Sequence, residues 1–362
     1  MADTLLRVEG LEKSLGGKKI LKGLDFEVRR GEFVTLLGPS GCGKTTTLRI
    51  IAGLLDADCG KVLLGGRDIT HVPPEKRNVN TVFQNYALFP HMNVEQNISY
   101  GLRMRGEKKE IWRKKVGEML RVVQMEGHEK RMPGQLSGGQ CQRIAIARAL
   151  VLEPELLLLD EPLGALDLKL RRQMQVELKE IQKNLGVAFV YITHDQEEAL
   201  NMSDRIAVMN EGEFMQVGTP EEIYEHPSSR FVAGFIGQTN MLDCKIVSAG
   251  EKTMLEYAGE RFPARNDLPD ASAGDDVCLC LRQEKISFSR EKGENAYLTG
   301  TLTEKRYAGG SMRAFIRLKG GAEIQALCST SDRSAGEAGD TVYLTWNPSE
   351  APVVRQDGEA QA

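Results

Sequence analysis

A lysine and a threonine stand near the end of a glycine-rich stretch, Gly38-Pro39-Ser40-Gly41-Cys42-Gly43-Lys44-Thr45-Thr46. That combination suits a chain of phosphates. Glycines let backbone N–H groups close around phosphate oxygens, and a helix starting there presents about half a positive charge to them. Lys44 would reach the β- and γ-phosphates, and the Thr45 hydroxyl would ligate Mg²⁺. The apolar run Phe33 to Leu37 before it and the helix-forming Thr46 to Leu54 after it complete a P-loop, a motif that acts only between a strand and a helix.

A second anion-accepting helix start is written in Leu136-Ser137-Gly138-Gly139-Gln140. Ser137 is a good N-cap after the breaking Pro133-Gly134, and Ile144 to Leu150 carries a small-residue packing face. Four leucines, Leu156 to Leu159, read as a strand buried on both sides, with Asp160 and Glu161 at its C-terminal end. Neighbours on a strand point to opposite sides, so the two acids divide their tasks. Asp160 is expected to face the metal and Glu161 a water that attacks the γ-phosphate. Gln84 ends the strand Val79 to Phe83, and His194 ends the strand Val187 to Thr193, with Asp195 capping the helix that follows. In a doubly wound sheet these strand ends border the phosphate crevice.

The elements that must position these groups are α/β in class. Antiparallel strands, Leu5 to Val8 and Ile20 to Val28 with a Gly16-Gly17 turn, lead into the P-loop, and helical periodicity dominates from Glu107 to Met125. The basic run Lys108, Lys109, Arg113, Lys114 and Lys115 lies largely on the other face of that helix and reads as solvated surface. With 362 residues, two domains are expected. Lys+Arg 47 against Asp+Glu 51 gives no electrostatic reason for a nucleic-acid partner. The 7 cysteines are scattered without a Cys-x-x-Cys pair, which fits a reducing compartment better than a disulfide framework. The opening Met1-Ala2-Asp3-Thr4 does not read as a targeting segment, and no apolar run approaches the ~18 residues of a membrane span.

Taken in order, Gly38 to Thr45, Gln84, Leu136 to Gln140, Leu159-Asp160-Glu161, Ala165-Leu166-Asp167 and His194 resemble the ATPase subunit of an ATP-binding-cassette transporter. Leu-Ser-Gly-Gly-Gln is the discriminating piece. The resemblance implies a P-loop cassette with an antiparallel β subdomain and a helical subdomain at about 88–155, all within 1–237. It also implies a homodimer in which two copies pair head to tail over two ATP molecules. Gly38 to Thr46 and Asp160 of one copy would face Ser137, Gly138, Gly139 and Gln140 of the other. Glu161 would be the general base, Gln84 would contact Mg²⁺ and the water, His194 would hold the γ-phosphate, and Asp167 would link the two sites. Two transmembrane permease subunits and an extracytoplasmic solute-binding protein are the implied partners, placing the chain at the cytoplasmic face of the membrane; Asn85 to Met92 would receive a permease helix.

Three positions depart from the family pattern. Leu15 stands where an aromatic residue usually stacks on adenine, Cys141 where glutamine is frequent, and Gly164 where serine is frequent. After Phe231 to Gly237 the texture changes to short alternating runs, among them Val277–Leu281, Tyr297–Leu302, Ala314–Leu318, Glu323–Leu327 and Val342–Trp346. These predict a small all-β, oligomer-binding-fold-like domain over 238–362. Leu281-Arg282-Gln283-Glu284-Lys285-Ile286 resembles a motif of the regulatory domain of import ATPases, with Gln283 in place of proline. Asn240-Met241 and Thr219 to Gly237 look most like spermidine/putrescine importers, while iron, sugar and phosphonate importers share much of the pattern. The barrel either supports the dimer or senses a regulator. Soluble cassette ATPases and nucleotide-holding switches are the readings from other classes.

Overall fold

The computed structural model describes residues 3–250, 253–265, 267–268, 270–330 and 336–356, so Met1 and Ala2 of the opening lie outside it. It forms two compact units, Met1–Pro220 and Glu221–Ala362.

In the first unit, β1 (Thr4–Leu15) and β2 (Lys18–Arg29) are joined by the two-residue turn Gly16-Gly17, whose φ values of 58° and 81° only glycine adopts freely. Then follow β3 (Phe33–Leu37), α1 (Lys44–Ala52), β4 (Cys59–Leu64), β5 (Arg67–Asp68) and β6 (Val79–Val82). Helices α2 (Val94–Met104), α3 (Lys109–Val122) and α4 (Gly138–Leu150) come next. The chain returns through β7 (Leu156–Asp160), α5 (Leu168–Leu185), β8 (Ala188–Thr193), α6 (Gln196–Met202), β9 (Arg205–Asn210) and β10 (Glu213–Gly218).

Two sheets result. An antiparallel one runs β2-β1-β4-β5, and a six-stranded one runs β10-β9-β3-β8-β7-β6, parallel except for β10. Strands β3 and β8 are buried throughout, as is β7 up to Asp160, which explains their continuous apolar runs. All three empty at one edge, and their C-terminal ends carry the P-loop, Asp160 and His194. Arg77 fixes α1 from beneath by donating to Ile50 O (2.8 Å) and Ile51 O (2.7 Å), carbonyls in the last turn of that helix.

In the second unit, α7 (Pro220–Glu225) and α8 (Arg230–Phe235) precede two five-stranded sheets. The first contains β11 (Thr239–Ser248), β12 (Thr253–Tyr257), β13 (Glu260–Ala264), β14 (Asp276–Arg282) and β20 (Val353–Arg355). The second contains β15 (Ser287–Ser289), β16 (Leu298–Ala308), β17 (Ser311–Leu318), β18 (Glu323–Ser329) and β19 (Thr341–Thr345). One apolar core, including Leu242, Leu279, Leu302, Ile316 and Leu344, fills the space the sheets share. Arg282 is 2% exposed and ties residues 224–239 to this unit by donating to Tyr224 O (2.7 Å), Ala233 O (3.2 Å), Ile236 O and Thr239 Oγ1. Its guanidinium also lies 4.1 Å over the Tyr224 ring. Burial and the hydrogen bond to Glu284 push the Tyr224 phenol up to about 12.

Candidate functional site

At two positions the loop from β3 to α1 admits glycine alone. A Cβ at Gly38 would lie 2.2 Å from Met209 O, and Gly43 has φ 111° with Leu21 Cδ2 only 2.6 Å from where its Cβ would be. Lys44, 6% exposed, curls back over the loop and donates to Gly38 O (2.7 Å) and Pro39 O (2.9 Å). The ammonium is thereby parked at the mouth of the loop. Thr45 Oγ1 donates to Asp160 Oδ1 at 3.2 Å, which joins the P-loop to the end of β7. Burial raises the Asp160 pKa above its ordinary value, an effect the Thr45 bond opposes. A cleft of about 430 Å³ opens beside the loop, lined by Pro39, Ser40, Gly41 and Cys42, by Lys18, Lys19, Ile20 and Lys22 of β2, and by Asn210 and Glu211.

Asp160 and Glu161 do diverge, although not by strand pleat as the sequence suggested. Strand β7 ends at Asp160, and Glu161 takes the left-handed conformation, φ 45°, rare for a non-glycine residue. This turn carries its carboxylate to His194 Nδ1 (3.2 Å from Oε1) and to Gln84 Nε2 (3.5 Å from Oε2). Five residues from four segments thus make two adjoining groups, Thr45 with Asp160 and Glu161 with Gln84 and His194. A Cβ on Gly164 would be in ordinary contact with Gln84 Nε2 at 3.5 Å, so the serine frequent there would fit the space.

The residues on either side of His194, Thr193 and Asp195, belong to a network around the buried Glu198 that the sequence reading missed. Glu198, 3% exposed, accepts from Tyr191 Oη (2.7 Å) and Thr193 Oγ1 (2.6 Å). Thr193 Oγ1 also accepts from Asp195 N (3.0 Å), while Asp195 caps α6 and pairs with Arg171 (3.2 Å). Arg171 donates in turn to Leu166 O (3.2 Å), one residue before Asp167. Burial raises the pKa values of both Glu198 and Tyr191. The available signal was weak: Glu198 stands one helical turn from Asp195, on the face of α6 that also buries Ala199 and Met202.

The loop after Gln84 is held in a costly shape. Tyr86 and Ala87 are both left-handed, with φ 60° and 45°, and Arg148 of α4 donates to both carbonyls, Ala87 O at 2.7 Å and Tyr86 O at 3.1 Å. The guanidinium also lies 5.3 Å from the Phe89 ring centre. Asn97, fully buried, accepts from Phe89 N (2.9 Å) and donates to Phe89 O, Met92 O and Asn93 O. The loop is therefore anchored to α2 and α4 together.

Ser137 closes a capping box at the start of α4: its hydroxyl accepts from Gln140 N (3.3 Å) while Gln140 Oε1 accepts from Ser137 N (3.0 Å). Ser137 and Gly138 are exposed, Gly139 is buried, and none of Ser137 to Gln140 lines the P-loop cleft of the same chain. Asp167 is spent locally, capping α5 through Leu170 N (3.0 Å). Leu15 ends β1, is 43% exposed, and stands outside the cleft lining.

A family model described as "ABC transporter" matches residues 21–164, and one described as "TOBE domain" matches 279–354. The chain belongs to the ABC transporter family, as an ATP-binding subunit that hydrolyses ATP within a multi-component transporter. Among its relatives, the spermidine/putrescine import ATP-binding protein PotA of Marinobacter nauticus is 49% identical over 329 residues, covering 90% of this chain and 88% of that protein. Its counterpart in Nitratidesulfovibrio vulgaris is 44% identical over 366 residues, covering 99% of each. The structure of cbiO1 from Clostridium perfringens, part of the ABC transporter complex cbiONQ, is 32% identical with a TM-score of 0.58, over 61% of this chain and 90% of that one. Among the described residues no helix is long and apolar enough to cross a membrane.

Proposed function

We propose that this ATPase drives uptake of spermidine or putrescine, working as a head-to-tail homodimer on the cytoplasmic face of two permease subunits fed by a solute-binding protein. The relatives named for polyamine import, 44–49% identical over most of the chain, support the solute. Residues 1–220 act as the ATPase cassette; 221–237, which the sequence joins to it in a 1–237 domain, lie in the second unit with the regulatory β-domain 238–362, where Arg282 clasps 224–239.

The placement of Glu161 carries the catalytic reading. Its carboxylate, one residue beyond Asp160, takes a proton from the attacking water. His194 Nδ1 and Gln84 Nε2 hold it in that orientation. With Nδ1 turned to Glu161, the other ring nitrogen of His194 is left for the γ-phosphate. Lys44 and the loop amides neutralise charge on the transferring group. Thr45 and Asp160, with Gln84 beside them, fit magnesium: a hydroxyl and one desolvated carboxylate suit an ion that keeps water and phosphate oxygens as its remaining ligands. When bound, the ion supplies charge stabilisation at the β- and γ-oxygens. The exposed start of α4, away from its own chain's cleft, supports a partner's nucleotide as its ligand, with Asp167 at the seam.

Mixed dimers test the arrangement. Chains carrying Lys44→Ala and chains carrying Ser137→Ala are each expected to be crippled alone. A head-to-tail pair of one with the other retains one intact site, so mixing restores ATPase activity. If both motifs served the same chain's nucleotide, mixing would restore nothing. For the solute, the reconstituted complex is expected to raise turnover with spermidine- or putrescine-loaded binding protein, and a response confined to another solute would refute the polyamine assignment.

A further inference from the structure

Strand β14 turns Cys278 and Cys280 to one face, since residues two apart on a strand point the same way. Both are buried, 0% and 1% exposed, in a small cluster with Ala233 of α8 and Val354 of β20, and Met241 of β11 packs against it. Met241 is in register with Cys280, and its side chain lies against α8: a Cβ on Gly234 would collide with its Cε and stand 3.6 Å from its Sδ. Three sulfur-bearing side chains thus gather beneath one short helix. The thiols make only long hydrogen bonds, Cys278 Sγ to Leu279 O (3.9 Å) and Cys280 Sγ to Cys278 O (4.0 Å), as weak donors do. They also act on each other: contact with Cys280 holds the Cys278 thiol below its ordinary range against the effect of burial, while contact with Cys278 and burial drive Cys280 above it. Arg230 favours both thiolates and Arg282 that of Cys280, whereas Asp243, paired with Arg230 at 2.6 Å, disfavours that of Cys278.

We propose that Cys278, Cys280 and Met241 form a soft-metal site that holds a single Cu(I) ion between two thiolates and a thioether. Sulfur ligands of these two kinds select Cu(I). A structural zinc takes four ligands, and among the described residues no group of three or more His, Cys, Asp or Glu converges to supply them. Binding changes no oxidation state. Both S–H bonds break, each sulfur bonds the ion, Met241 Sδ adds its lone pair, and two protons leave to solvent. The bound site then carries one net negative charge, which the nearby Arg230 and Arg282 guanidiniums offset. Met241, half-buried where the cysteines are fully covered, is the sulfur that meets an entering ion first.

The test is anaerobic titration of the reduced full chain with Cu(I) supplied as its coloured bicinchoninate complex. The wild-type chain is expected to withdraw a single equivalent of copper. Cys278→Ala and Cys280→Ala should each weaken that binding by more than about 100-fold, beyond the usual cost of losing an outer-shell partner. Met241→Leu, which keeps the volume and removes the sulfur, should weaken it by a smaller factor, and Cys59→Ala, at an exposed cysteine elsewhere, should leave it unchanged. No withdrawal by the wild type, undiminished affinity in any of the three site variants, or equally tight Zn(II) binding at the same residues overturns the inference. ATPase turnover without copper should stay at the wild-type level in the site variants, because none of the three residues belongs to the ATPase site. Should a variant fail to fold, copper K-edge absorption of the wild-type complex decides: sulfur neighbours alone are expected, and nitrogen or oxygen neighbours would refute the site.

Discussion

Replacing Glu161 with glutamine isolates proton acceptance from everything else the residue does. Its side chain is 25% exposed and touches His194 and Gln84, while its backbone bonds, Glu161 N to Ile192 O (3.0 Å) and Gly164 N to Glu161 O (3.2 Å), do not involve the carboxylate. The left-handed φ of 45° costs glutamine about what it costs glutamate. Shape, fold and the phosphate cradle should therefore persist in Glu161→Gln, with only the basic oxygen lost. A general base contributes 10²- to 10⁴-fold in rate, about 3–5 kcal/mol of barrier. Turnover is expected to fall by that factor while nucleotide binding stays at wild-type affinity and nucleotide-loaded dimers accumulate. Phosphate release measured beside retention of labelled nucleotide reads both quantities. A fall of less than about tenfold, short of that range, would remove Glu161 from the base role. Loss of nucleotide binding would show instead that Glu161 supports the site structurally.

Other outcomes follow from individual contacts. Because burial holds the Asp160 pKa above 3.8, its ionised form is disfavoured in the fold, and the stability this forgoes grows as pH rises through the raised value. Asp160→Asn should therefore raise the thermal midpoint at neutral pH while weakening magnesium-dependent turnover, and wild-type magnesium affinity should decline with acid from a pH above the ordinary carboxylate range. Arg148→Ala should speed hydrogen exchange across residues 85–92 and weaken stimulation by the permease. Arg148→Lys should not rescue it, since one ammonium does not reproduce two carbonyl bonds and a guanidinium stack. Arg282→Ala strands several buried carbonyls of 224–239 and should destabilise the second unit by about 3 kcal/mol or more, read as a lower unfolding midpoint.

The features legible in the linear sequence are those whose causes are local. Gly38 to Thr46 and the Ser137 and Asp195 caps depend on residues within a few positions of each other, so composition and spacing suffice to read them, whereas the cap that Asp167 makes on α5 went unread. Helix α4 begins at Gly138, directly after the Ser137 N-cap that the sequence marks, and the capping box satisfies its first turn. In the second unit, strands β14, β16, β17, β18 and β19 were visible as alternating runs. Strands β11, β12, β13, β15 and β20 were not, since their state depends on distant partners such as β14 pairing with β11 and β20.

Tertiary structure alone decided how the chemistry-bearing residues meet. Glu161 reaches His194 and Gln84 because its backbone leaves the strand in a left-handed turn, a conformation that no glycine announces. Tyr86 and Ala87 hold a costly shape because Arg148, some sixty positions along the chain, satisfies both carbonyls. Glu198 meets two hydroxyls, those of Tyr191 and Thr193, that only the packing of α6 against β8 brings to it. Residue types name the available donors, acceptors and charges, but a contact between distant positions forms only where the folded backbone offsets its entropy and desolvation costs.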